Sequence, residues 1–277
     1  MPIVNSGQIY YNLTYGMKDI QEDAAMPNIR WDAADYKENF SFVPAYGEAV
    51  IGLITKQPGS RVVDLGCGNG SLTSHIAERG YTVTGIDDSE EMLQLAKKEH
   101  PDLSFIRGNA VTFHLDEKAD VVFSNAVFHW IDEKDQPAML SNICHNLKPG
   151  GELVCEFGGS KCAEAVHGTL EHCFSERGLK YRRVFYFPTI GQYAPMLEKA
   201  GFKIEYAALF DRPTPQNGTD GLANWIRMFV KKPFEGMEKE IKEEIISDAV
   251  SRLRDRLYQN GCWIVDYVRI QFRAVKQ

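Results

Sequence analysis

The residues of this chain best suited to chemistry are two carboxylates and the glycines between them. Asp64 follows the apolar pair Val62-Val63, and Gly66, Cys67, Gly68 and Gly70 come directly after it. Asp87 follows a second apolar run, Val83-Thr84-Gly85-Ile86. Glycines let a backbone turn through positive φ and let a ligand approach without a Cβ in the way. An acidic side chain ending the second strand of such a unit can accept both hydroxyls of a ribose. Asp64 places a fixed negative charge on the turn, which suits a ligand carrying a cation and suits a phosphate poorly. Ser71 stands where GxGxxG would have its third glycine, so a dinucleotide is the lesser reading.

Three later stretches add to this. Gly108-Asn109-Ala110 lies just past a third apolar run; Asn109 by side chain and Ala110 by backbone could hydrogen-bond an adenine edge, although Gly-Asn also forms plain turns. Ser124-Asn125-Ala126-Val127-Phe128-His129-Trp130 leaves a fourth strand. There His129 could act as a general base and Trp130 could face a cation with its ring; both could equally well pack the helix that follows. Asp88, beside Asp87, reads as solvated.

The elements that must position these residues alternate. Strands are expected at Arg61–Leu65, Thr82–Ile86, Leu103–Ile106, Ala119–Asn125 and Gly151–Phe157, with helices at Gly70–Arg79, Glu90–Glu99 (Ser89 as N-cap) and Gln136–Leu147. Alternation of this kind implies an α/β fold of right-handed βαβ units around a parallel sheet. Continuous apolar runs such as Val121-Val122-Phe123 suit strands covered on both faces. Further helices are expected over Cys162–Arg177, Thr189–Lys199 and Asn224–Val230, and a long amphipathic one from Met237 to Leu257. Arg212–Gly221 reads as a loop. Strands at Phe202–Phe210 and Val265–Val275, the latter near a sheet edge, bracket residues 211–262, an insertion that is a candidate lid.

Composition bounds the function class. The net charge of −7 lacks the basic footprint of a nucleic-acid binder. No stretch supplies the roughly 20 apolar residues of a membrane helix, and the N-terminus has no signal-peptide pattern. Six scattered cysteines without a CxxC pair read as the reduced thiols of a cytoplasmic protein, and the charge and the lack of an apolar run lead us to expect no nucleic-acid or membrane partner. Nothing in the chain speaks to its oligomeric state.

Taken together, VVDLGCGNG, GIDDS, GNA, SNAVFHW and LKPGG, in that order over residues 61–157, resemble the class I S-adenosylmethionine-dependent methyltransferases. The resemblance implies a Rossmann-like, doubly wound, mostly parallel seven-stranded sheet with an antiparallel C-terminal strand and a helical cap. Residues 1–277 would form a single domain: an N-terminal arm and first helix at 1–60, a cofactor-binding core at 61–157, and a helical substrate lid at 211–262. Asp64, Gly66, Cys67, Gly68 and Gly70 would lie along the methionine portion of S-adenosylmethionine, Asp87 on the ribose, Asp88 and Met92 beside the adenine, Asn109 and Ala110 on its edge, and Asn125 near the methionine moiety. Many relatives carry Asp where Asn109 stands, which implies weaker adenine selectivity here.

A narrower resemblance, through SNAVFHW, the Tyr186-Phe187-Pro188-Thr189 stretch and DRPTP…NWI…GCWIVDYVRIQFRA, is to the trans-aconitate methyltransferase group. There an N-terminal arm closes over the cofactor, and Trp31, Tyr36 and Phe40 would be the matching positions. Tyr36 is assigned to the cofactor on this basis. Phe40, His129, Trp130, Tyr186, Arg212 and Trp225 are assigned to a small-molecule acceptor. Methyl transfer from a sulfonium needs in-line alignment and exclusion of water, and no metal. A carboxylate acceptor needs no base but needs an Arg clamp, for which Arg182, Arg183, Arg212 and Arg269 are available. A hydroxyl, amine or carbon acceptor would need His129 as its base. A nicotinamide-dependent oxidoreductase and a non-catalytic nucleoside-binding protein are the alternatives from other classes.

Overall fold

The computed structural model describes residues 42–277, with side chains described from Tyr46 onward. Trp31, Tyr36 and Phe40 lie outside the described residues. In chain order the elements are α1 (Phe42–Ile51), β1 (Arg61–Leu65), α2 (Ser71–Glu78), β2 (Thr82–Asp87), α3 (Glu90–Glu99), β3 (Ser104–Arg107), β4 (Ala119–Asn125), α4 (Gln136–Asn146) and β5 (Leu147–Gly158). Then come α5 (Glu164–Glu176), α6 (Ile190–Lys199), β6 (Phe202–Asp211), β7 (Thr214–Gln216), α7 (Gly221–Phe229), α8 (Lys239–Leu257), β8 (Tyr258–Gln259), β9 (Cys262–Val265) and β10 (Val268–Lys276).

Seven strands form one sheet in the order β3-β2-β1-β4-β5-β10-β6, with β10 antiparallel to both its neighbours. The apolar runs form its interior because both faces are covered. Val122 packs with α4 and α6 on one side, while Val121 and Phe123 pack with α1 and α2 on the other. Local signals set the helix starts. Ser89 Oγ accepts from the Met92 N–H ahead of an acidic first turn, and Thr189 with Gln192 closes a capping box at α6.

The strand order reverses between β1 and β4, and the crevice of such a sheet opens there, at the carboxyl ends of the strands. Because β10 runs antiparallel, its first residues arrive at this same end, where Val268 pairs with Asp211 and Arg269 with Gly158. Residues 211–262 therefore do interrupt a hairpin. They carry α7 and α8, which pack on α5 in one core cluster, and most of a small sheet in the order β7-β9-β8. One expectation changes here: the stretch read as a loop contains β7, whose three residues are too few to show a period. β10 does lie near a sheet edge, beside the edge strand β6, and Arg269 and Gln271 are buried there along with Ile270 and Phe272.

Candidate active site

The turn after β1 is built from three glycines at positive φ: Gly66 at 78°, Gly68 at 54° and Gly70 at 80°. Their surroundings differ. A Cβ on Gly66 would lie 2.2 Å from Val127 Cγ2, and one on Gly70 would lie 2.7 Å from Phe105 Cζ, whereas one on Gly68 would meet nothing within 4 Å. Gly66 and Gly70 thus serve close packing, while Gly68 faces open space. Gly66→Ala is expected to cost several kcal/mol, since left-handed strain of about 1–2 kcal/mol adds to a clash with Val127. Gly68→Ala should cost only the strain. Thermal unfolding of the two variants checks this, and equal losses would contradict the contrast.

Asp64 is not the exposed fixed charge expected from its sequence position. It is buried in β1, and its Oδ2 accepts from the Thr73 hydroxyl at 2.6 Å. Burial raises its pKa to about 7, against the opposing pull of Thr73, and the nearby Asp87 raises it further. Asp87, at the end of β2, accepts from the Gly68 N–H and the Ser89 N–H, both at 2.9 Å, and burial raises it to about 6. A folded value above the unfolded one favours the fold at low pH. The stability these groups lend is full below about 3.8 and is lost as the pH rises through about 6 for Asp87 and about 7 for Asp64. The crevice thus holds two carboxyls that gain from a cation or from hydrogen-bond donors.

The other expected crevice residues gather around this pair. The Gly108 N–H donates to the Asp87 carbonyl at 2.9 Å, tying the end of β3 to that of β2. Asn109 Oδ1 accepts from the Val111 N–H at 2.9 Å, so part of its side chain holds its own turn. Ala110 is half-buried against the core. Asp88 is half-buried rather than solvated, and burial raises its pKa. Met92 is buried on α3, and Cys67 is buried with its thiol pushed up by desolvation, then by Asp64 and Asp87. Asn125 ends β4, and its Oδ1 is buried with no hydrogen-bond partner among the described residues.

Beyond Asn125 the chain turns at Ala126, φ 61°, into the short 3-10 turn Phe128–Trp130. Gln136 holds this turn by donating to the carbonyls of Phe128 at 2.7 Å and Ile131 at 2.9 Å, while its Oε1 accepts from the Tyr193 hydroxyl. His129 and Trp130 thereby enter the wall of a cavity of about 60 Å³. Phe185, Phe187, Trp225, Phe229, Tyr267 and Arg269 form most of the remainder.

Three expected acceptor or catalytic residues are corrected by this geometry. The Gly158 N–H lies 3.2 Å from His129 Nδ1. A backbone N–H can only donate, so Nδ1 accepts and the proton of the neutral ring sits on Nε2. Burial, with Arg269 second, drives the His129 pKa well below its usual value. His129 is therefore a neutral Nε2–H donor and not a base. Arg212 is occupied: its two terminal nitrogens grip both oxygens of buried Glu156, which also accepts from Gln271, and its guanidinium lies over the Tyr46 and Phe210 rings. Tyr186 points away from the cavity. The segment is extended, so neighbours alternate sides; Phe185 and Phe187 face in, while Tyr186 packs toward Tyr193.

Arg269 is the cation the cavity does contain. Only 9% of it is exposed, its guanidinium stands 4.6 Å from the Tyr267 ring centre, and its Nε has no hydrogen-bond acceptor among the described residues. No carboxylate among the described residues pairs with it. Arg183, by contrast, is paired with Glu164, and Arg182 is exposed.

Comparison with known proteins fits this arrangement. The family described as "Methyltransferase domain" matches residues 62–151. An uncharacterised methyltransferase of Schizosaccharomyces pombe is 30% identical over 264 residues, spanning 91% of this chain and all of that protein. A trans-aconitate 2-methyltransferase of Agrobacterium fabrum is 27% identical over 217 residues, 73% of this chain and 82% of that one. Two solved structures share the fold. A Bacillus halodurans C-125 protein has a TM-score of 0.59 at 19% identity, covering 83% of this chain and 97% of its own. An S-adenosylmethionine-dependent methyltransferase of Mesorhizobium loti has a TM-score of 0.51 at 19% identity, covering 84% and 98%. The chain belongs to the class I S-adenosylmethionine-dependent methyltransferases.

Proposed function

We propose that this enzyme transfers the methyl group of S-adenosylmethionine to a carboxylate oxygen of a small molecule, making a methyl ester. The observation that carries this reading is Arg269: a buried guanidinium without an acid among the described residues, in an otherwise aromatic cavity beside the donor crevice. Relatives named trans-aconitate 2-methyltransferase support the same acceptor group.

The residues present fit the donor. Gly68 faces open space, where a side chain would intrude on a ligand, and Asn125 Oδ1 is buried and unsatisfied. In this reading Asp64 and the turn Gly66–Gly70, with Cys67, lie along the methionine portion, and Asn125 takes up its amine. Asp87 holds the ribose hydroxyls, Asp88 and Met92 flank the adenine, and Asn109 and Ala110 meet its edge. When bound, S-adenosylmethionine supplies an electrophilic sulfonium methyl.

Arg269 and the His129 Nε2–H hold the acceptor carboxylate by charge-assisted and neutral hydrogen bonds. The aromatic walls and residues 211–262, as a lid, exclude water. A carboxylate oxygen forms the new C–O bond as the S–CH3 bond breaks, and that electron pair stays on sulfur. One negative and one positive charge cancel, and no proton moves. The alternative of a hydroxyl, amine or carbon acceptor needs a base, and the tautomer of His129 does not supply one.

The test is the product and its pH dependence. Label from the donor methyl should appear in a base-labile ester. The maximal rate should stay flat from about pH 6 to 9, because a carboxylate is ionised throughout. The donor KM should fall as the pH rises toward about 7. A cation opposite Asp64 lowers its pKa in the complex, so donor binding releases a proton and tightens where the free enzyme still holds one. A base-stable product, or a maximal rate rising with unit slope, would defeat the proposal.

A further inference from the structure

The cavity that holds Arg269 says more about its acceptor than that it bears a carboxylate. Among the described residues Arg269 is its only cationic side chain, and His129 Nε2–H is its main neutral donor. The other walls are rings and small apolar groups: Trp130, Phe185, Phe187, Trp225 and Phe229, with Ala126, Ala163 and the Cys162 thiol. The polar tips of the remaining ring residues are spent inward. Trp225 Nε1 donates to the Tyr267 hydroxyl at 2.5 Å, and the Tyr267 ring carries the Arg269 guanidinium. Arg212, which could have offered a second positive charge at this end of the sheet, is gripped by Glu156.

Volume and shape add to the charge count. At about 60 Å³, and roughly 10–15 Å³ per water-sized group, the cavity seats one carboxylate and a few carbon atoms. Phe185 and Phe187 stack with centroids 5.2 Å apart and planes only 5° out of parallel, and Trp130 meets Phe185 at 4.7 Å. Rings fixed in this way present flat faces, which favour a flat apolar body by offset or edge contacts. A second carboxylate seated here would be desolvated against rings with no further cation among the described residues to meet it, and that cost is large.

Resting on the carboxylate reading above, we propose that the acceptor is a monocarboxylate with a compact, flat, apolar body, and that polycarboxylates are rejected. Specificity comes from the single guanidinium of Arg269 set among Trp130, Phe185, Phe187, Trp225 and Phe229. The enzyme thereby differs in acceptor class from relatives named for a tricarboxylate.

The test uses the full chain with labelled S-adenosylmethionine and four acids: acrylate and crotonate as small flat monocarboxylates, succinate and trans-aconitate as polycarboxylates. Base-labile ester is scored as kcat/KM, and binding of each acid to the complex with S-adenosylhomocysteine is followed by calorimetry. The expected result is that acrylate or crotonate exceeds both polycarboxylates by at least about 100-fold in one or both readouts. In Arg269→Gln that preference should vanish through loss of the monocarboxylate. Esterification of trans-aconitate or succinate within tenfold of the monocarboxylates overturns the acceptor class while leaving carboxylate methylation intact. A base-stable methylated product from a phenol or amine, with no ester from any acid, overturns the underlying function as well. If no acid is esterified and neither monocarboxylate binds, the proposal also fails.

Discussion

Arg269→Gln is expected to lower kcat/KM for the carboxylate acceptor by about 10³-fold and leave the affinity for S-adenosylhomocysteine within about twofold. Removing one partner of a desolvated charge pair costs about 2–5 kcal/mol, and the lost charge lies in the acceptor cavity, away from the glycine turn. Arg269→Lys keeps the charge but loses the planar fork, so an intermediate loss of about 10–100-fold is expected. A second readout separates function from architecture. A buried guanidinium without an acid costs stability in the free enzyme, so Arg269→Gln should melt no lower than the wild type. Steady-state kinetics, calorimetry and thermal melting together check this. A variant that loses stability while keeping its activity would show that Arg269 serves the fold alone.

Asp87→Ala is expected to weaken S-adenosylhomocysteine binding by at least about 100-fold, as measured by calorimetry. Hydrogen bonds to a charged group contribute about 1.5–3 kcal/mol each, and two ribose hydroxyls would lose theirs. The same carboxylate also fixes the Gly68 N–H and the Ser89 N–H, so the variant loosens the glycine turn and the start of α3 together. Asp87→Asn keeps one acceptor oxygen and should fall between the two. Unchanged affinity in Asp87→Ala would place the donor elsewhere.

The strand, glycine turn and helix start proposed to hold the donor were legible in the sequence because they rest on short-range rules. Positive-φ glycines, an acid at a strand end and a Ser N-cap act within a few residues of themselves, and the β1–β4 alternation follows from apolar runs. The environment of those residues was not legible. Asp64 looks like a charge on a turn, yet the sheet around it encloses it, and burial raises its pKa against the opposing hydrogen bond from Thr73. The acceptor half depends on pairings across the chain. Arg212 and Arg269 look alike in sequence; Glu156, on a strand far upstream, takes one and leaves the other. His129 looks like a base until the Gly158 N–H is found at its Nδ1. Phe185 and Phe187 could have been separated from Tyr186 by period-two alternation, but only once the segment was taken as extended. Gln136, which fixes the turn bearing His129, gave no signal at all.

One consequence follows from the direction of β10. The proposed donor crevice rests on β1, β2 and β4, whereas the proposed acceptor walls from α7 and Tyr267 lie within a loop closed by the β6–β10 pairing. Both ends of that loop are pinned to the sheet, so its contents can lengthen, shorten or be exchanged without moving the glycine turn. Arg269 sits on the returning strand, one residue past the splice. On the proposed reading, a lineage that swapped this loop would inherit an intact methyl-donor site and a retained carboxylate anchor, and would change the shape of the acceptor. Grafting residues 212–267 between relatives is therefore a route to new acceptors.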